Sequence, residues 1–207
     1  ACAPFRRLSL CNKNFPNMNS NDSSKAKNDL LVDVCLAANY EAQSLKTYRE
    51  QYDLKYPSGS SFTMCTMLAR SFADIGDIIR GRDLYGGDNK RRKQLDDNLK
   101  TIFKQIHDNL KDKEAEKHYK GDTDKNYYKL REDWWTANRE TVWKALTCKA
   151  EGAYFRATCN DTGQGPSQTH NKCRCDGAKG AKAGDVNIVP TYFDYVPQYL
   201  RWFEEWA

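Results

Sequence analysis

The sequence predicts an all-α fold, a disulfide-linked helical bundle with long loops, and three observations carry that prediction. Apolar residues recur at steps of three and four in several separate stretches, the spacing that lays one face along a helix. No stretch alternates with the period of two that a half-buried strand requires. Eight cysteines lie scattered at positions 2, 11, 35, 65, 148, 159, 173 and 175, an even count that suits disulfides in an oxidising compartment.

Taken in order, CAPFRRLSLC (2–11) is a short segment held between two cysteines. Residues 12–28 are rich in Asn and Ser with almost no apolar content and read as a loop. Leu31, Val34, Cys35, Ala38, Ala42 and Leu45 then trace a helical face that Asn28 or Asp29 can cap, stopping before Tyr56-Pro57-Ser58-Gly59. A second helix presents Cys65, Leu68, Phe72, Ile75 and Ile79 and ends at Gly81. Within it Arg70 and Asp74 are four apart and can pair along the surface. Asp74 and Asp77 with arginines nearby read as structural ion pairs rather than as catalytic acids, because no nucleophile or histidine converges on them.

Gly86-Gly87-Asp88 marks a turn before Lys90-Arg91-Arg92-Lys93 and the amphipathic run Leu95, Leu99, Ile102, Phe103, Ile106 and Leu110. Residues 111–126 are charged on all sides, a solvated helix end and loop. The helix from Tyr127 to Leu146 carries Trp134, Trp135 and Trp143, which at helical spacing are core material around which the bundle is organised. Asp124 can cap its start. A short aromatic piece, AYFRATC, leads to Cys159; residues 160–189 lack periodicity and read as a long flexible loop. GAKGAKAG (177–184) has the composition of a phosphate loop but not its residue order. Pro197 suits the first turn of a last helix whose apolar face is Tyr199, Trp202, Phe203 and Trp206.

The chain has 207 residues, a net charge of +5 and mean hydropathy of −0.88, with 12% aromatics to fill a core. No apolar run is long enough to span a bilayer, so no direct membrane insertion of this segment is expected. The mild positive excess fits a polyanionic partner without demanding one. His107, His118 and His170 lie apart, and none of the common hydrolase, metalloprotease or dinucleotide signatures occurs, so neither an enzyme nor a bound cofactor is expected. Zinc at Cys148, Cys159, His170, Cys173 and Cys175 is disfavoured, since Cys173-Arg-Cys175 is tighter than the usual knuckle spacing. No metal is therefore assigned. Two glycosylation sequons, at Asn21 and Asn160, decide nothing.

Three stretches together, ARSFADIGDIIRGRDLY (69–85), REDWWTANRETVWKALTC (131–148) and VPTYFDYVPQYLRWFEEWA (189–207), resemble the Duffy binding-like domains of malaria parasites. They are most similar to the alpha-type head domain of the variant erythrocyte membrane protein 1 adhesins. CAPFRRLSLC and LLVDVCLAA (30–38) fit the same pattern. The resemblance implies three subdomains. Residues 1–28 would be the tail of a loop-rich first, 29–160 a central helical bundle, 161–189 a flexible loop, and 190–207 the start of a helical third. It implies a non-catalytic adhesion domain on the extracellular face of the infected host-cell membrane, part of a larger membrane-anchored and antigenically variable protein. Such domains bind host-cell glycans or glycoproteins (heparan sulfate, blood-group sugars, a complement receptor) in cytoadhesion or rosetting, and meet antibodies as surface antigens. A small basic helical nucleic-acid-binding domain is the alternative, and free thiols would favour it.

The ligand surface expected from the residues is Lys90, Arg91, Arg92 and Lys93, extended by Arg80, Arg82 or the lysines of 111–120. Four cations in a row cannot all face inward, and helix stability does not explain them at a helix N-terminus. Disulfides are expected at Cys35–Cys148 and Cys65–Cys159, from antiparallel packing of the helices that carry or border them. The family pattern leaves Cys2 and Cys11, and one of Cys173 and Cys175, to partners outside the chain.

Overall fold

A computed structural model of the chain describes all residues except 1, 57–62, 87–88, 123–125, 151–158, 162–164, 168, 170–172 and 176–188. A single turn, α1 (Phe5–Leu8), precedes two 3-10 turns at Phe15–Asn17 and Ser23–Lys25. The long helices follow as α2 (Ala26–Lys55), α3 (Met64–Arg80) and α4 (Asn89–Asp108), then a short α5 (Lys113–Tyr119) and α6 (Tyr128–Leu146). A 3-10 turn at Phe193–Tyr195 leads into α7 (Gln198–Trp206). The four long helices are the four whose periodicity is plain in the sequence.

Two features depart from the sequence reading. Strand β1 (Cys159–Asp161) pairs antiparallel with β2 (Gly165–Ser167), Cys159 lying opposite Ser167. The charged stretch 111–126 contains α5, whose start is capped by the Asp112 side chain accepting from Glu114 N–H; it buries no residue and so leaves no apolar stripe to read. The AYFRATC piece up to Thr158, GAKGAKAG, His170 and most of the expected 161–189 loop lie outside the described residues.

Capping explains where the helices begin. Asp22 accepts from Ser24 N–H and caps the 3-10 turn that runs directly into α2, so the expected caps Asn28 and Asp29 fall inside the helix. Thr63 caps α3 through Thr66 N–H, and Gly81 ends it in the left-handed conformation at φ 74°. The first turn of α6 is capped by Asp122, whose carboxylate accepts from Lys129 N–H at 3.2 Å and Leu130 N–H at 2.8 Å. Asp124, the expected cap, lies outside the described residues.

Helix α3, not the tryptophan helix, sits at the centre. It buries 15 of its 17 residues, because α2, α6, α7, α1 and the 193–195 turn surround it. The tryptophans do fill the core: Trp135 and Trp143 are wholly buried, and both rings lean on Phe72 at 5.0 and 5.1 Å. Trp134 meets Phe103 of α4 edge-on at 6.2 Å. Close approach fixes Gly76, where a Cβ would sit 2.8 Å from the Trp135 indole. On α2 the buried face is turned slightly from the expected stripe: Leu30, Ala37 and Glu41 are buried, Leu31 and Cys35 only partly. The Asn/Ser-rich segment 12–28 inserts Phe15 and Met18 into the core. On α7 only Trp202 of the expected face turns inward, while Tyr199, Phe203 and Trp206 are exposed.

The disulfides correct the expected pairing. Cys65 bonds Cys173 and Cys159 bonds Cys175, with Cα atoms 5.4 and 5.3 Å apart. Cys35 and Cys148 are unbonded, as are Cys2 and Cys11. Helical spacing places Cys65 on a buried face but says nothing about loop cysteines. Cys173 reaches it because its buried backbone carbonyl accepts from Trp143 Nε1 at 3.0 Å, drawing the loop under α6. Both Cys173 and Cys175 thus find partners inside the chain, and the bonded sulfurs of Cys159, Cys173 and Cys175 are not available to zinc.

Candidate functional site

Among the described residues two charged regions stand out, one buried around α3 and one exposed at the start of α4. The buried one surrounds Asp74 and Asp77 on consecutive turns of α3. Asp74 accepts from Arg6 of α1 at 2.7 Å and from Arg201 of α7 at 2.8 Å. Asp77 accepts from Arg201 at 2.5 Å and from Arg80 at 3.0 Å. Arg6 also grips Glu205 of α7 at 2.9 Å through two nitrogens. Burial works against the Asp74 charge, but Arg6 and Arg201 outweigh it and hold the carboxyl below its ordinary pKa. At Asp77 burial wins over Arg201 and Arg80, and the pKa is pushed up to about 6. The cluster therefore clasps the two ends of the chain onto the central helix. Its carboxylates are enclosed and engaged by arginines, which fits the structural reading of this pair. Arg70 and Asp74, expected on the surface, are both buried.

Arg80, expected in the ligand surface, belongs to this interior. It is 1% exposed, bonded to Asp77, to Glu132 at 3.2 Å and to the Asp194 carbonyl. A guanidinium so enclosed has no face left for a ligand, so Arg80 leaves the site. Five further arginines, at 6, 7, 131, 139 and 201, are buried or nearly so, and each meets a carboxylate. Arg139 shows the pattern: it forks onto Asp194, which also accepts from Trp135 Nε1 and so pins the 193–195 turn to α6. Sequence reasoning missed this, because buried and exposed arginines look alike without their partners.

The exposed region is the start of α4. Lys90, Arg91, Arg92 and Lys93 lie within its first turns, all four exposed. Arg91 and Arg92 border a depression of about 230 Å³ shared with Arg7, Asp83 and Tyr85. On the other side, Arg92 and Lys93 border one of about 370 Å³ reaching Tyr128 and Arg131. Arg82, with a side chain 59% exposed, stands in the preceding loop and pairs with Glu132 at 2.7 Å. The helix is anchored behind the cations, where Gln94 and Asn98 both donate to the Pro16 carbonyl. Of the six expected contacts, five thus lie on or beside one accessible surface. The lysines of 111–120 lie on and around α5, which docks on α6 through His118 and Tyr119 at Asp133.

Among the described residues no helix is long and apolar enough to cross a membrane. The buried carboxylates and the arginine clasp tie α1, α7 and the 193–195 turn to the central helices. A family model, the Duffy binding domain, matches residues 1–201. The chain belongs to the Duffy binding domain family. It is 43% identical to the crystallised NTS-DBL1-alpha domain of Plasmodium falciparum membrane protein 1 (PfEMP1) from the varO strain, with a TM-score of 0.73. That match covers 100% of this chain and 43% of the other. A DBL-beta domain of a PfEMP1, solved bound to human ICAM-1, is 31% identical with a TM-score of 0.65, over 97% of this chain and 38% of that one. The Duffy receptor beta form of Plasmodium knowlesi is 26% identical over all of this chain and 14% of its own length. The chain thus spans less than half the length of each of these relatives.

Proposed function

We propose that this chain is part of a host-receptor-binding adhesion domain, not an enzyme, of an alpha-type PfEMP1-like surface protein. The observation that carries the reading is the match along the whole chain to a receptor-binding family, at 43% identity to an alpha-type domain. The ligand class is an anionic host-cell glycan or glycoprotein such as heparan sulfate. Lys90, Arg91, Arg92, Lys93 and Arg82 hold it, because clustered exposed cations gain most from closely spaced sulfates. The protein is displayed on the outer face of the infected host cell, where it mediates cytoadhesion or rosetting and varies as an antibody target. Residues 1–28, 29–160, 161–189 and 190–207 correspond to the end of a first subdomain, a central bundle, a loop and the opening of a third. Two disulfides weigh against the alternative of an intracellular nucleic-acid binder, since such bonds persist in oxidising compartments.

The test is binding of the purified 207-residue chain to host cells with and without heparinase treatment. Binding that falls at least several-fold after treatment is the expected result. Binding equal on treated and untreated cells removes the glycan reading, and no binding to any host cell removes the adhesion reading for this segment.

A further inference from the structure

The loop that joins α3 to the basic start of α4 begins at Arg82, whose N–H donates to the Asp77 carbonyl at 2.8 Å and whose side chain pairs with Glu132. Gly81 turns the chain out of α3, and residues 82–86 have no regular structure. Residues 83–85 are held from the two ends of the chain. Arg7 of α1 donates to both Asp83 carboxylate oxygens, at 3.2 and 2.5 Å, and its guanidinium lies 4.6 Å over the Tyr85 ring. Gln198, the first residue of α7, donates to Asp83 Oδ1 at 2.8 Å and accepts from Leu84 N–H at 2.6 Å. The same amide also donates to Asp74 of the buried clasp at 3.1 Å. On its outer side the loop meets the cations, where Arg92 donates to the Asp83 carbonyl at 3.4 Å. Arg7 and Gln198 are each 4% exposed, so neither is itself a surface contact.

We propose that Arg7, Asp83 and Gln198 are positioning residues for the basic surface, so that α7 sets how Arg82, Arg91 and Arg92 are presented to an anionic ligand. The inference rests on the glycan reading above. Its physical content is that one side-chain amide satisfies a loop carboxylate and a loop N–H together, fixing the loop at two points. Without Gln198 the Leu84 N–H loses its acceptor and Asp83 keeps only the Arg7 fork, so the loop is held at one point instead of two. Whatever loosens α7 therefore spreads the cations and weakens binding without removing a charge.

Asp83 gives the inference a discriminating sign. It is a carboxylate beside Arg91 and Arg92, so electrostatics alone predicts tighter polyanion binding once it is neutralised. Positioning predicts the reverse. The experiment is titration of the 207-residue chain with a heparin oligosaccharide of defined length, for wild type, Asp83→Asn, Gln198→Ala and the milder Gln198→Asn. Circular dichroism confirms the fold of each variant, and amide exchange is followed at residues 82–86. Both Asp83→Asn and Gln198→Ala should bind about three- to tenfold more weakly, the loss of one or two hydrogen bonds. The Gln198 variants should keep the wild-type salt dependence while exchange at 82–86 rises. Should Gln198→Ala fail to fold, Gln198→Asn carries the same comparison. Tighter or unchanged binding by folded Asp83→Asn, or unchanged exchange at 82–86 in a folded Gln198 variant, overturns the proposal. If Ser substitution of residues 90–93 leaves heparin affinity intact, it is the glycan reading that fails, and the exchange data still decide whether α7 holds the loop.

Discussion

At the scale of single residues, the interior depends on close contacts and on charges that cannot reach water. Trp135→Ala removes a wholly buried indole that packs on Phe72 and donates to Asp194, and should cost about 3–5 kcal/mol. The expected outcome is a lower melting temperature, with the proposed heparin binding lost only in proportion to unfolded protein; wild-type melting with lost binding would make the tryptophan a contact. Asp77 titrates in the opposite sense from Asp74. Its folded pKa of about 6 lies above the ordinary value near 4, so the folded state binds the extra proton between those limits. The stability contributed by this group is full below about pH 4 and is lost as pH rises through about 6. Asp74, with a depressed pKa, contributes stability above its ordinary value that is lost as pH falls. Replacing Asp77 by Asn isolates the first effect. Denaturant unfolding at several pH values should show wild type gaining on the variant by up to about 2–3 kcal/mol as pH falls from 7 to 4. A difference that stays flat across that range would place Asp77 among ordinary surface-like carboxylates.

At the scale of elements, helices were legible in the sequence and their ties were not. Leu95, Leu99, Ile102 and Phe103 mark α4 by spacing alone, since a stripe of that period has one physical explanation. The clasp left no such mark. Arg6 and Glu205 are 199 positions apart, and nothing local says that one end of the chain holds the other. Cys173 likewise sits outside any periodic segment, so its bond to Cys65 required the tertiary structure. For the site, the cations of 90–93 were visible because consecutive charges cannot all be buried; Arg80, the last residue of α3, was not distinguishable from Arg82. These ties are testable. Arg6→Ala leaves Asp74 and Glu205 short of a buried partner and should cost about 3–5 kcal/mol. Amides of α7 should then exchange faster than those of α6, whereas equal acceleration throughout would mean that no separable clasp exists. Removing Cys65–Cys173 opens a link across 108 residues and should lower stability by about 4–5 kcal/mol in the chain-entropy picture. Peptide mapping of the oxidised protein should recover both the 65–173 and the 159–175 bridges.

At the scale of the whole molecule, a rigid disulfide-tied bundle carries an exposed cationic helix start, and the buried charges are spent on holding the chain together. The basic patch comes from four consecutive cations at one helix start, not from the modest net charge of +5. The direct measurement is heparin affinity as a function of salt for wild type and for the variant with Lys90, Arg91, Arg92 and Lys93 all changed to Ser, alongside their melting temperatures. Exposed cations act through screened charge, so wild-type affinity should fall steeply with salt. The variant should melt within a few degrees of wild type, bind at least about tenfold more weakly at low salt, and show a shallower salt slope. A folded variant with unchanged affinity and slope would contradict the account and move the ligand surface elsewhere on the molecule.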